Sequence, residues 1–188
     1  MNPIERTVEN FQELVAQVPE ILQPIIVMTA AAIPFVEGEG GAVVGVVGGL
    51  HPVVAGVAAA TGNFLCVLLV VAVAARARTA VVDRRGSLVG VGGGGTRPNV
   101  DEVFQQTAVA KPESKGRQRF NRWLVRYGVP GASLLGPLAV PTQITAAILI
   151  GSGIPRRRVL LWQAVAIAVW TTVATVFAWA ALTFVVGS

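Results

Sequence analysis

Two glutamates in the stretch PFVEGEGG, residues 34–41, have the clearest chemical potential in this chain. Glu37 and Glu39 lie between two short apolar runs, 21–36 and 42–50, where a membrane protein buries a charge only for a functional reason. Two carboxylates held away from water repel each other, and desolvation also disfavours their charged form. We therefore expect at least one of them to exchange a proton near neutral pH. The alternative is an exposed turn with ordinary solvated acids.

Further polar candidates lie within or beside apolar segments. Asn63, next to Gly62, interrupts a long apolar run, and Thr142 and Gln143 lie at the bend between a second pair of short apolar runs. Each of them either contacts a transported compound or joins two helices through a hydrogen bond worth about 1 kcal/mol. The residues expected to shape the two bends are Pro34, Gly38, Gly40, Gly41, Gly136, Pro137 and Pro141.

Several kinds of chemistry are excluded by composition. The chain has one histidine and one cysteine, Cys66, so neither a disulfide nor a catalytic triad can be assembled. We therefore expect no enzymatic activity, no metal site and no cofactor. The run GVGGGG at 90–95 lacks the Lys-Ser or Lys-Thr ending of a phosphate-binding loop and is typical of a flexible linker.

The distribution of apolar residues predicts an all-α polytopic membrane protein. Hydrophobic residues make up 53% of the chain, and residues 51–75 and 159–186 contain no charged side chain. A spanning helix needs about 20 apolar residues, so both runs are long enough to cross a bilayer. The shorter runs at 21–36, 42–50, 129–138 and 140–150 are not, and we interpret them as arms of hairpins that enter the membrane and turn back.

The predicted organisation is an inverted repeat of hairpin plus span. An amphipathic N-terminal helix at 1–20 comes first, followed by a first half at 21–75 with a re-entrant hairpin at 21–50 and a transmembrane helix at 51–75. A basic cytoplasmic loop at 76–126 contains a glycine-rich linker and an amphipathic interfacial helix. The second half at 127–188 has a hairpin at 128–153 and a transmembrane helix at 159–186. Repeats of this kind place transport sites where broken helices meet near the midplane of the membrane.

Basic residues predict the orientation. Eleven of the fifteen lie between Arg76 and Arg126, and three more are Arg156 to Arg158. If the two hairpins enter from opposite faces, fourteen of the fifteen lie in the cytoplasm and both termini lie outside. We therefore predict a multi-pass protein of a bacterial-type inner membrane. The basic residues form no stripe interleaved with aromatics, so we expect no nucleic-acid partner.

The motifs around these candidates resemble those of the small multidrug export proteins of the DedA-like (VTT-domain, SNARE-associated) superfamily. The similarity rests on Pro34, Glu37, Glu39 and Gly40, followed by Gly62 and Asn63. The stretch RYGVPGASLLGPLAVPTQITAAILIGSG and the arginine-led span with Trp170 are similar to that superfamily's second half. The resemblance implies opposed re-entrant hairpins and transport linked to the proton-motive force, including flipping of a polyprenyl phosphate carrier lipid.

One departure from that pattern bears on the substrate. DedA carriers place arginines beside the proline of the second hairpin, whereas GPLAVPTQ has none and Gln143 stands there. Proton coupling or a cationic substrate is therefore favoured over an anionic one. We expect a transporter that exports a cationic or amphiphilic small molecule in exchange for protons, working as a homodimer among membrane lipids. A lipid flippase or scramblase and a non-transport membrane scaffold are the alternatives.

Overall fold

The computed structural model describes residues 3–88, 128–138 and 140–186. Within these ranges the chain is helical and contains no strand, which confirms the all-α prediction. The elements are α1 (Pro3–Ala16), α2 (Gln23–Ala31), α3 (Glu37–Val47), α4 (Pro52–Leu88), α5 (128–135), a 3₁₀ turn (Gly136–Leu138), α6 (Thr142–Gly151) and α7 (Arg156–Val186). The predicted glycine-rich linker and basic amphipathic helix lie outside the described residues.

Among the described residues, two helices are long and apolar enough to cross a membrane. The apolar stretches are Pro52–Ala80 in α4 and Arg156–Phe184 in α7. In their most apolar windows only 33% and 28% of the residues are buried inside the chain, whereas the core helix of a soluble protein is mostly buried. This exposed apolar surface is consistent with a membrane protein. Helix α4 continues past Ala75, the predicted end of the span, because the alanines and arginines that follow are good helix formers.

Helices α2 and α3 form a closely packed pair. A Cβ atom added to Gly41 of α3 would lie 2.7 Å from the Cβ of Ala31 in α2, so the two backbones nearly touch. Val27, Ala31 and Ala42 are buried in the small core between them. The connection between the helices spans residues 32–36, and α3 begins at Glu37 instead of at Ala42, where the sequence analysis placed the second arm.

Helix α1 lies against the far end of α3. The side-chain amide of Gln12 donates a hydrogen bond to the carbonyl of Val47 over 3.1 Å. Phe11 and Val15 approach the site of a Cβ on Gly48 within 3.4 and 3.2 Å. The helix is amphipathic, since these side chains face α3 while Glu9 and Glu13 are exposed. Its place at a membrane interface stays a prediction.

The chain divides into two compact units. Unit 1 comprises Met1–Cys66 and Ala164–Ser188, and unit 2 comprises Val67–Gln163. Unit 1 therefore holds α1 to α3 with the first part of α4 and most of α7, and unit 2 holds α5 and α6 with the remaining parts of the two long helices. Re-entrant insertion and the inverted repeat stay predictions.

Candidate functional site

Glu37 begins α3 in an unusual backbone conformation. Its φ is 52° and that of Phe35 is 72°, the two non-glycine residues with positive φ in the described chain. The Glu37 N–H donates to the carbonyl of Ile33 over 3.1 Å, so this hydrogen bond joins the start of α3 to the connection before it. The residue is only 5% exposed. Strained residues of this kind persist where the surroundings fix them, and they cluster at ligand sites.

A buried polar cluster lies beside Glu37 in unit 1. A Cβ on Gly38 would overlap Oγ1 of Thr171 in α7 and would lie 3.6 Å from Nδ2 of Asn63 in α4. Asn63 and Thr171 are 0% and 2% exposed. Three helices thus converge on Gly38, where the absence of a side chain makes room for two polar groups. We call Gly38, Asn63 and Thr171 the polar cluster.

The hydroxyl of Thr171 has unused hydrogen-bonding capacity. Among the residues that the structure describes, nothing forms a hydrogen bond with its Oγ1. Buried hydroxyls are normally paired, and leaving one unpaired costs about 1–3 kcal/mol. A buried hydroxyl without a partner is therefore expected where a ligand or water binds.

Glu39 lies one turn into α3 and is partly exposed. Burial raises the pKa of Glu39 above its ordinary value, a hydrogen bond from the backbone partly offsets this, and repulsion by Glu37 raises the pKa further. The direction agrees with the expectation that one of the two carboxyls holds a proton more readily than a solvated acid. Negative charge in the first turn of a helix is also favourable, which lets α3 begin with two acids.

The other residues predicted to shape the first bend have different roles. Pro34 is exposed within the connection itself. Gly40 and Gly41 lie inside α3, and a Cβ on Gly40 would come within 3.0 Å of Val36. Glycine at 41 permits the close approach to α2 and not a reversal of the chain. The bend therefore depends on residues 32–36 and not on the glycines that follow it.

An open groove of ≈ 420 Å³ runs between α4 and α7 within unit 1. Its walls are mostly apolar, but three threonines line it: Thr171, Thr172 and Thr175. The hydroxyl of Thr175 donates to the carbonyl of Thr171 over 2.6 Å. Trp179 lines the groove together with Pro52. We call this feature the threonine groove. Thr171 belongs to both the threonine groove and the polar cluster.

The predicted residues of the second bend lie in unit 2. Thr142 and Gln143 are 1% and 4% exposed at the start of α6, which Pro141 precedes. Gly136 and Pro137 lie in the 3₁₀ turn, and a Cβ on Gly136 would lie 3.3 Å from Oγ1 of Thr145. Their part in shaping a re-entrant bend stays a prediction. Its pairing with the first bend stays a prediction.

Several buried polar residues of the described chain were not predicted from the sequence. They are Ser133, Gln163, Thr171 and Thr175, all of them at most 8% exposed. Within the described ranges, neither side-chain polar atom of Gln163 has a hydrogen-bond partner. Three of the four interrupt the apolar run at 159–186, and polar residues inside a span are functional candidates by default. That signal was present in the sequence.

The comparisons place the chain in no family. No family model, no curated protein and no solved structure matches it. In the part of the chain that the structure describes, no group of three or more His, Cys, Asp or Glu side chains is arranged to hold a metal ion.

Proposed function

We propose that this protein is a small membrane transporter that exchanges protons for a cationic or amphiphilic compound at Glu37 and Glu39. The observation that carries the proposal is the burial of Glu37, 5% exposed, beside a polar cluster inside an otherwise apolar protein. A buried carboxylate is costly unless a cation, a proton or hydrogen-bond donors compensate its charge. Binding and releasing such a partner is the elementary step of proton-coupled transport.

The threonine groove supplies a route for an amphiphilic compound. Its apolar walls suit an aromatic or aliphatic body, and the threonines among its lining residues suit a polar end. Thr171 lines the groove and its buried hydroxyl lies against the site of Gly38, so one side chain separates a compound in the groove from the residue next to Glu37. The resemblance to DedA-like exporters supports the same function, with a homodimer as the expected assembly.

The test is transport by the full chain reconstituted in liposomes with an imposed pH gradient. E37Q/E39Q removes both carboxylates with little change in shape and should abolish proton-driven uptake of a fluorescent cationic dye. The matched control is E9Q/E13Q, which removes two exposed carboxylates from α1 and should transport as the parent protein does. Undiminished transport by E37Q/E39Q would rule out proton coupling at these residues.

The same vesicles distinguish a lipid flippase. Flipping of a fluorescent anionic lipid that persists in E37Q/E39Q, with no movement of the dye in the parent protein, would replace the exporter by a lipid transporter. Absence of both activities in the parent would favour the scaffold.

A further inference from the structure

Unit 2 contains a cavity of ≈ 440 Å³. This volume lies within the range of about 300–1,000 Å³ that is usual for ligand sites. Its walls come from the later part of α4, from the turn after α6 and from the start of α7. The lining residues used below are Arg78, Ile150, Gly153, Ile154 and Arg156. The proposed transport mechanism uses none of them.

The cavity carries two positive charges on different helices. A Cβ on Gly153 would lie 2.8 Å from Nη2 of Arg78 and 3.4 Å from its Cζ, so the guanidinium lies against the backbone of the glycine. Gly153 has a φ of 92°, a conformation that other residues rarely adopt. Its N–H donates to Ile150 and that of Ile154 donates to Leu149, which ends α6 in a defined turn. The turn therefore fixes the backbone of Gly153, against which the guanidinium of Arg78 lies.

The charges are not neutralised within the described chain. Neither Arg78 nor Arg156 forms an ion pair with any residue that the structure describes. Helix α7 begins at Arg156, and the N–H groups of Arg158 and Val159 already bond to the carbonyl of Pro155. The N–H groups of Arg156 and Arg157, the first two of the helix, have no backbone acceptor in the described chain. They can bind another acceptor, and a helix N-terminus favours an anion. Two guanidiniums and these amides together favour a phosphate group.

The position of the two arginines identifies the source of the phosphate. Arg78 lies near the end of the apolar stretch Pro52–Ala80, and Arg156 is the first residue of Arg156–Phe184. Spanning stretches end where lipid headgroups begin, and basic pockets between spans on the cytoplasmic side bind anionic headgroups. Ile150 and Ile154 add apolar wall to the same cavity.

We propose that this cavity binds an anionic phospholipid, with the guanidiniums of Arg78 and Arg156 on its phosphate oxygens. Ile150 and Ile154 contact the glycerol and the first methylenes of the acyl chains. The single negative charge of the phosphodiester offsets part of the two positive charges, and the bound lipid joins the ends of the two spans.

The experiment titrates the detergent-solubilised full chain with phosphatidylglycerol and counts bound lipids by native mass spectrometry. R78Q/R156Q should weaken binding about thirtyfold, because two charges at a membrane surface each contribute an attraction of order 1 kcal/mol and about 1.4 kcal/mol corresponds to a factor of ten. The matched control is R76Q/R157Q, which removes two exposed arginines next to the cavity from the same helices. The control should change the affinity less than about twofold.

The outcomes distinguish binding at this cavity from diffuse attraction to a charged surface. They also distinguish binding of a lipid from binding of free phosphate. Equal weakening in R76Q/R157Q would show diffuse attraction and overturn the site. Binding of glycerol 3-phosphate or inorganic phosphate as tight as that of the lipid would overturn the assignment to a lipid. If R78Q/R156Q fails to fold, R78K/R156K replaces it. This variant keeps both charges but lacks the planar guanidinium that binds a phosphate through two hydrogen bonds. Parent-like affinity in it would overturn the guanidinium contact.

Discussion

Glu37 and Glu39 differ in their surroundings although only one residue separates them. Glu37 is 5% exposed, whereas the side chain of Glu39 is partly exposed. Side chains two positions apart on a helix do not face each other, and repulsion by Glu37 is the smallest of the three influences on the pKa of Glu39. The two carboxyls therefore act as neighbours with separate roles, and single substitutions should distinguish them.

Stability should depend on pH through Glu39. Because burial raises the pKa of Glu39, the folded state favours the protonated form more than the unfolded chain does. The stabilisation is thus complete below the unfolded pKa, near 4.5, and is lost as pH rises through the higher folded pKa. Melting temperatures of E39Q in detergent should be flatter than those of the parent across this window. E13Q, at an exposed site of α1, should keep the parent's profile.

Thr171 provides a second test at the level of residues. T171V keeps the shape of the side chain and removes a buried hydroxyl that has no partner among the described residues. The melting temperature should stay equal or rise, because an unpaired hydroxyl destabilises the fold by about 1–3 kcal/mol. Dye transport should fall. T61V, at an exposed position of α4, is the control. A T171V variant that melts lower with unchanged transport would assign the hydroxyl a purely structural role.

Among the elements, the contact of α2 with α4 depends on a single glycine. A Cβ on Gly62 would overlap the backbone carbonyl of Met28, so the two helices touch without an intervening side chain. Close approach through small residues is how helices associate in membranes, where burial of apolar area provides little driving force. The position of Asn63, the next residue, follows from this contact.

G62A should therefore destabilise the protein by about 1–3 kcal/mol, because a backbone segment would have to move. G151A is the matched control: it ends α6, and its added Cβ would meet nothing within 4 Å. This control should change stability by less than about 0.5 kcal/mol. Thermal unfolding in detergent measures both, and a G62A variant as stable as the parent would contradict the close contact.

The sequence predicted these elements unevenly. Helical structure and both long apolar helices followed from runs without charge, and the second bend followed from Pro137 and Pro141. The predicted start of the second arm at Ala42 was wrong, since the glycines before it have poor helical propensity and tertiary packing against Ala31 overrides it. The contact of Gly38 with Thr171 joins residues more than a hundred positions apart, and one sequence contains no signal for such pairing.

For the whole molecule, the composition of the two units bears on the inverted repeat. Each unit contains part of α4 and part of α7, with α1 to α3 in unit 1 and α5 and α6 in unit 2. The units therefore do not coincide with the predicted halves, each of which keeps one whole span, and the inverted repeat stays a prediction. The orientation of the chain in a membrane follows from the same prediction and can be measured.

Labelling with an impermeant maleimide tests the orientation in a C66A background. I21C and H51C flank the first hairpin and should react from outside. A77C and S152C should react only after access to the cytoplasmic face, because positive-inside placement puts Arg76 and Arg156 there. Position 38 is unsuitable for a probe because any side chain there meets Thr171. Labelling of S152C from outside would show that residues 128–152 cross the membrane completely.

The contact between α2 and α3 is made by small side chains and backbone atoms. Where Ala31 meets Gly41 and Val27 meets Gly45, no long side chain of one helix locks into the other. Sliding one helix along the other would break few interlocking contacts. If Glu37 binds a proton or a cation as proposed, that binding would fix the position of α2 and α3, and release would allow the pair to shift.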